Sequence, residues 1–268
     1  MENMKGMAYN GWKLGLPDKF WPVTLDDFFG DPDEMRELGL RLLKEKKEPA
    51  EGGKWPGLRT DSLEKIDDGH YDGFIQKIVV AVLNCYFNLD IEQVWWNHLE
   101  IQFQTIPSLD KDKNSRKNKG WVHRDSIEPA LEHKPIEEGK VVIYPELAGL
   151  IYLTPDIERD TGTSLFNMKK DQTLEHYYAH GEFKKTVHLG KEISEEEIKD
   201  KWEKHRSCFI EKVRFENIYN RLIMYDSKEF HAANSFYTPE DKDDRLTLGF
   251  FIGGIKANKW PLQRLRSN

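Results

Sequence analysis

Cysteine is close to absent from this chain, with only Cys85 and Cys208 among 268 residues. That excludes the disulfide framework of a small secreted domain. Both lie in apolar segments, where two buried, reduced thiols are expected. Long hydrophobic runs are missing as well. The longest, Ile78 to Leu83, falls far short of the roughly 20 residues a membrane span needs. Met1 to Lys13 holds no apolar run of signal-peptide length. Nor is there an excess of basic charge: 40 Lys and Arg against 47 Asp and Glu leave a net charge of −7, which disfavours a dedicated nucleic-acid binder. No internal repeat is evident. These absences point to a soluble, cytoplasmic protein whose partner is a small molecule or a peptide, with nucleic acid disfavoured and no membrane.

The chain does have core-building residues. It is 38% hydrophobic and 12% aromatic, with 14 Phe, 10 Tyr and 8 Trp, so global disorder is excluded. Asp31-Pro32-Asp33-Glu34 reads as an N-cap followed by proline at the first helical position. It predicts a helix to about Lys46, with Met35, Leu38, Leu42 and Leu43 on one face. Lys44 to Gly57 has the charge, Gly and Pro content of a loop. Tyr71 to Phe87 repeats apolar residues at helical spacing.

From Trp95 onward the period becomes two. Leu99, Ile101 and Phe103 alternate with Glu100, Gln102 and Gln104, as in a half-buried strand. Further strands are predicted at Gly149 to Thr154, Thr163 to Phe166, Ser207 to Phe215, Arg221 to Tyr225 and Leu246 to Ile252. Ser194 and Glu197 form a capping box opening a helix to about Arg206. Two helices followed by many short strands predict a mainly β fold with supporting α-helices and a jelly-roll, double-stranded β-helix core. The expected layout is a single domain over 1–268, with helical support in 1–95 and the core in 96–255, interrupted by an insert at 167–212.

The residues that carry chemistry are few. In an extended segment His123 and Asp125 point the same way, presenting an imidazole and a carboxylate to one point. The spacing alone is common by chance. It gains weight from His231, a short turn beyond a predicted strand, and from Arg245, which opens the strand Arg245-Leu-Thr-Leu-Gly-Phe-Phe-Ile252. Two histidines and one carboxylate are the facial set that holds Fe(II) and leaves positions open. Arg245 and Thr247 share a strand face, a guanidinium fork beside a hydroxyl, as suits carboxylate capture.

His123-x-Asp125, His231 and Arg245-x-Thr247 together resemble the signature of the Fe(II)/2-oxoglutarate-dependent dioxygenases. Gly149 to Thr154 and Thr161 to Phe166 resemble strands of the prolyl 4-hydroxylase-like branch, including its uncharacterised phage and bacterial members. The likeness covers roughly Leu99 to Ile252. It implies a cupin-like fold, with Fe(II) on His123, Asp125 and His231. It also implies 2-oxoglutarate anchored by Arg245 with help from Thr247 and Tyr152, and O2 as oxidant. Hydroxylation with release of succinate and CO2 follows, since an Asp at the carboxylate position favours hydroxylation over halogenation. Two departures stand out. Thr161-Gly162 replaces the family's Gly-Gly, and the fourteen positions from His231 to Arg245 exceed the branch's usual spacing. Arg221 is therefore the reserve anchor, and Lys228 a weaker one.

Other readings compete for the same residues. His123-Arg124-Asp125 also spells the protein-kinase triplet, but the position five beyond the Asp is Ala130 rather than Asn, and no Gly-rich loop or Asp-Phe-Gly is present. A zinc hydrolase could use the same ligands but lacks an evident general base. A non-catalytic jelly-roll binding module remains the non-enzymatic alternative. Tyr152 is as readily a core tyrosine, Trp121 a packing residue or pocket wall, and Asn234 a turn residue. His133 is expected at the surface, and His176, His180, His188 and His205 are expected to be solvated. Asp110 to Lys119 reads as a mobile lid or a solvated loop, and Asn167 to Lys212 as a cover for the site.

Overall fold

The alternation that begins at Leu99 builds the centre of the protein. In the structure, a computed structural model that describes residues 20–46, 55–66, 71–125, 142–143, 146–172 and 181–258, it becomes a nine-residue strand. The strands are β1 (Val23–Leu25), β2 (Leu58–Arg59), β3 (Val94–Trp95), β4 (His98–Ile106), β5 (Val142–Ile143) and β6 (Leu147–Tyr152), followed by β7 (Thr163–Met168), β8 (Phe209–Phe215), β9 (Leu222–Asp226), β10 (Phe230–Ala233), β11 (Arg245–Gly253) and β12 (Lys256–Ala257). The helices are α1 (Pro32–Leu43), α2 (Leu63–Ile66), α3 (Asp72–Leu83), α4 (Gly181–His188) and α5 (Glu195–Ser207). The fold is mainly β, with antiparallel sheets and a few helices.

The large sheet runs β1-β9-β6-β11-β4-β2 and faces a smaller one ordered β10-β7-β8, while β3-β12-β5 form a third. Because a strand's side chains alternate between faces, register sorts the large sheet into two surfaces. Ile101, Phe103, Ile151, Leu222, Met224, Leu248 and Phe250 lie on the back and join Leu38 and Leu43 of α1 and Ile78, Val79, Val82 and Leu83 of α3 in the main core. Glu100, Gln102 and Gln104 lie on the front. They are not the solvated edge that polar alternation ordinarily signals, because they line an internal cavity.

The local signals for the helices hold. Asp31 caps α1 by accepting from the Glu34 amide at 3.0 Å, with Pro32 at its start. Ser194 caps α5, accepting from the Glu197 amide at 3.2 Å. The apolar segment from Tyr71 leaves the helix at Leu83 and continues as turns to Phe87. Cys85 and Cys208 are free thiols; both are half-buried rather than fully buried, Cys85 donating to the Ala81 carbonyl one turn back.

The loop 110–119 is tied down rather than lid-like. Asn118, fully buried, accepts from the amides of Leu109 and Asp110 and donates to the carbonyls of Asp110 and Asp112. Glu195 of α5 accepts from the Ser115 hydroxyl and the Arg116 amide. Asn118→Ala leaves the amides of Leu109 and Asp110 and the Asp110 carbonyl unmatched, while the Asp112 carbonyl keeps the Ser115 amide, so a loss of about 2–4 kcal/mol is expected. Urea unfolding of the variant checks this; an unchanged midpoint would mean the loop is not held by this side chain.

Candidate metal and co-substrate site

Gly120 to His123 runs beside β10 and pairs with it. The Gly120 amide donates to Ala233 O at 3.1 Å, and His123 and His231 exchange backbone bonds at 2.9 and 2.8 Å. A Cβ on Gly120 would lie 2.3 Å from Ala233 O, so only glycine permits that approach. Residues directly opposite in an antiparallel pair share a face, and the pairing brings the two imidazoles together with ring centroids 4.3 Å apart. His231 therefore sits inside a short strand, where a turn leading to a strand end was expected.

Asp125 completes the cluster. Its carboxylate oxygens lie 3.6 Å from His123 Nε2 and 3.2 Å from His231 Nε2. One atom from each of the three residues falls within 4.8 Å of the others. Bonds of about 2.1 Å at near-right angles put neighbouring ligands about 3 Å apart, so the separations fit one first-row divalent ion. The histidine tautomers fit too. His123 Nδ1 lies 2.8 Å from Trp121 O and His231 Nδ1 lies 3.0 Å from Glu229 O. A carbonyl only accepts, so each Nδ1 carries the proton and each Nε2 lone pair is free for metal. Burial, with the Lys184 ammonium nearby, holds the His123 imidazole well below its ordinary pKa, which favours the neutral ligand form.

The same cavity reaches Arg245. At 2% exposure this guanidinium is deeply buried, and desolvation pulls its pKa below the usual value. Its Nε donates to Thr161 O at 3.3 Å and its Cζ lies 5.4 Å from the centre of the Tyr152 ring. Its Nη2 has no partner, and among the described residues no carboxylate pairs with it. A buried cation left this way is costly unless something anionic arrives. Thr247 is fully buried with an unmatched Oγ1. It stands opposite Tyr152 on the same sheet face, in register. The Tyr152 hydroxyl donates to Thr163 Oγ1 at 3.0 Å. Arg245 and Thr163 line the cavity, whereas Tyr152 and Thr247 stand behind that lining.

The reserve candidates lie elsewhere. Arg221 grips Asp26 through two bonds of 2.5 and 2.9 Å, and neither it nor Lys228 lines the cavity. Asn234 shapes the turn after β10: its amide donates to Gly162 O at 2.8 Å and its Oδ1 accepts from Ser164.

Helices α4 and α5 overturn the solvated reading of two histidines. His188 (5% exposed) lines the cavity, and His205 (3%) is buried. His205 Nε2 donates to Val122 O at 3.1 Å, and the Trp202 indole donates to Gly120 O at 3.2 Å. Both come from one face of α5, so the insert clamps the metal-bearing segment from outside. Its charge masked this, because the residues making the contact are few among many solvated Lys and Glu. His133, His176 and His180 lie outside the described residues, as does Ser126 beside the metal motif.

Trp121 does line the cavity, packing on Phe183 of α4 edge to face. Among the wall residues that went unread in the sequence are Trp55, Lys184, Tyr225 and Phe251. Tyr225 packs against His231 at 4.9 Å. It shares its strand face with Ile223, a period-two relation visible in the sequence; Trp55 and Lys184 carried no such signal.

No protein-family model matches the sequence, and no curated protein matches it. Among solved structures, HygX from Streptomyces hygroscopicus, with nickel and 2-oxoglutarate bound, is similar with a TM-score of 0.48 and 12% identity. That match covers 87% of this chain and 82% of HygX. SnoN, a non-heme alpha-ketoglutarate-dependent epimerase from nogalamycin biosynthesis, gives 0.47 and 12% over 87% and 77% of the two chains. AviO1 from Streptomyces viridochromogenes Tue57 gives 0.43 and 13% over 88% and 90%. At such identities and scores these likenesses carry no functional weight for this chain. Among the described residues no helix is long and apolar enough to cross a membrane.

Proposed function

We propose that this chain is an Fe(II)- and 2-oxoglutarate-dependent dioxygenase that hydroxylates a small molecule or a peptide, built as one domain on a double-stranded β-helix core. The core reading is supported by the strand order β9-β6-β11-β4 facing β8-β7-β10, with the His123 segment extending the smaller sheet. The sequence likeness of Gly149 to Thr154 and Thr161 to Phe166 to the prolyl 4-hydroxylase-like branch supports this reading. The observation that carries the function is the pairing, in one cavity, of a two-histidine, one-carboxylate cluster with a buried guanidinium that has an unmatched Nη2.

His123 Nε2, Asp125 and His231 Nε2 would hold Fe(II). When bound with 2-oxoglutarate, the iron supplies O2-dependent oxidation coupled to formation of succinate and CO2. The chain's own residues do the rest. Arg245 receives the distal carboxylate of 2-oxoglutarate in a pocket where its charge is barely hydrated. Thr247 and Tyr152 brace that corner, the first with a free hydroxyl and the second through Thr163. Trp121, Tyr225 and Phe251 exclude water from the space where substrate reacts.

Mixing the purified protein anaerobically with Fe(II) and 2-oxoglutarate is expected to give a weak visible charge-transfer band. Admitting air should then release succinate. Neither band nor succinate would remove this reading in favour of a binding module.

A further inference from the structure

The cavity contains charged groups that metal and 2-oxoglutarate leave unused. Arg59 is engaged, its guanidinium lying over Trp55 at 4.3 Å and donating to Gln104 at 3.3 Å. Arg245 belongs to the co-substrate corner. Among the described residues, Lys184 of α4 has no hydrogen bond or ion pair, and the one carboxylate in its electrostatic reach is Asp125. That charge is shared with the metal once an ion is held. Burial lowers the Lys184 pKa to about 8, so the ammonium is under-hydrated at neutral pH and gains from meeting an anion.

Glu100 and Gln102 of β4 line the same cavity, and neither side chain has a hydrogen bond or ion pair among the described residues. Register sets the distance between the two ends. Tyr225, Ala148, Phe251 and Glu100 occupy one row across four neighbouring strands. Glu100 therefore starts about 14 Å from Tyr225, Cα to Cα, at about 4.8 Å per strand. Tyr225 marks the metal end by packing on His231. Lys184 also belongs to that end, since its charge is felt at His123 and Asp125. Between the ends the floor is apolar, formed by Leu150 and Phe251, with Gly249 leaving it open.

A cation at the metal end, an apolar floor and an anion at the far end describe the complement of one kind of molecule. We propose that the substrate is a small zwitterion, its carboxylate received by Lys184 beside the metal and its protonated amine by Glu100 across an aliphatic segment. No internal residue of a peptide carries both a free carboxylate and an amine across one aliphatic segment, so the inference selects a free small molecule within the dioxygenase reading, on which it rests.

The test uses the anaerobic enzyme loaded with Fe(II) and 2-oxoglutarate. The probes are L-lysine, L-ornithine, L-arginine and 6-aminohexanoate, each compared with its carboxamide and its ω-N-acetyl derivative. Binding is read calorimetrically and as a shift of the visible band. At least one free zwitterion should bind, and Lys184→Met should weaken it at least about tenfold while changing its carboxamide less than about twofold. Glu100→Gln should weaken the free form similarly and leave the N-acetyl form nearly unchanged. This crossed pattern separates charge recognition from a general loss of packing. If no probe binds, or both variants weaken charged and capped forms equally, the inference is overturned. The band in wild-type enzyme without any probe tests the dioxygenase reading by itself, so the two failures are distinguishable.

Discussion

Replacing His231 with alanine is expected to abolish iron binding and succinate formation together while leaving the protein folded. Among the described residues three protein ligands make up this cluster, and His231 is the most buried of them, its side chain 8% exposed. Outer partners of metal ligands are commonly worth 10- to 100-fold in affinity. Loss of a direct ligand should therefore raise the Fe(II) dissociation constant by more than about 100-fold. The fold has reason to survive. The two bonds joining residues 123 and 231 are backbone to backbone, and the side chain adds one bond to Glu229 O and a ring contact with Tyr225. A penalty of about 1–2 kcal/mol follows from that packing. Anaerobic Fe(II) titration with circular dichroism on the same sample decides the matter. A folded His231→Ala protein that binds Fe(II) at wild-type strength would show that the cluster is not the metal site.

How much of this could be read from the chain depended on range. His123 and Asp125 were legible because two-residue spacing in an extended segment fixes direction, and α1 and α5 because capping is a local bond. The strand β4 was legible from period two, and β6, β7, β8, β9 and β11 as strand segments set between turn signals. What period two could not tell was which face met solvent. Glu100, Gln102 and Gln104 look like an exterior, yet they face inward because a second sheet and an insert close over them. Lys184 and His188 were hidden for a related reason. A charged helix normally solvates its charges, and only its placement against Trp121 turns one side of it inward. The two- to four-residue elements β1, β2 and α2 carry no pattern long enough to recognise. Arg245 was the intermediate case: its type and strand position were visible, but its burial beside an unsatisfied Thr247 needed the third dimension.

Arg245→Met is expected to remove 2-oxoglutarate binding, by more than about 100-fold, while Fe(II) still binds. The methionine keeps much of the side chain's apolar bulk and discards the fork that would hold the carboxylate. A fully buried guanidinium held by the Thr161 carbonyl and the Tyr152 hydroxyl, with an unmatched Nη2 and no carboxylate among the described residues, is a burden on the free fold, and replacing buried charge by apolar bulk is often neutral or stabilising by about 1–4 kcal/mol. The variant should thus lose the visible band and 2-oxoglutarate affinity without losing thermal stability. That combination is the signature of a residue kept for binding. Arg221→Ala supplies the contrast. It breaks a pair with Asp26 whose two side chains are 15% and 54% exposed, worth no more than about 1 kcal/mol at such a surface, and it should leave the band intact. If Arg245→Met retained the band at wild-type 2-oxoglutarate concentrations while Arg221→Ala lost it, the anchor would have to move to Arg221. The cavity's buried guanidinium would then need another anion to explain it.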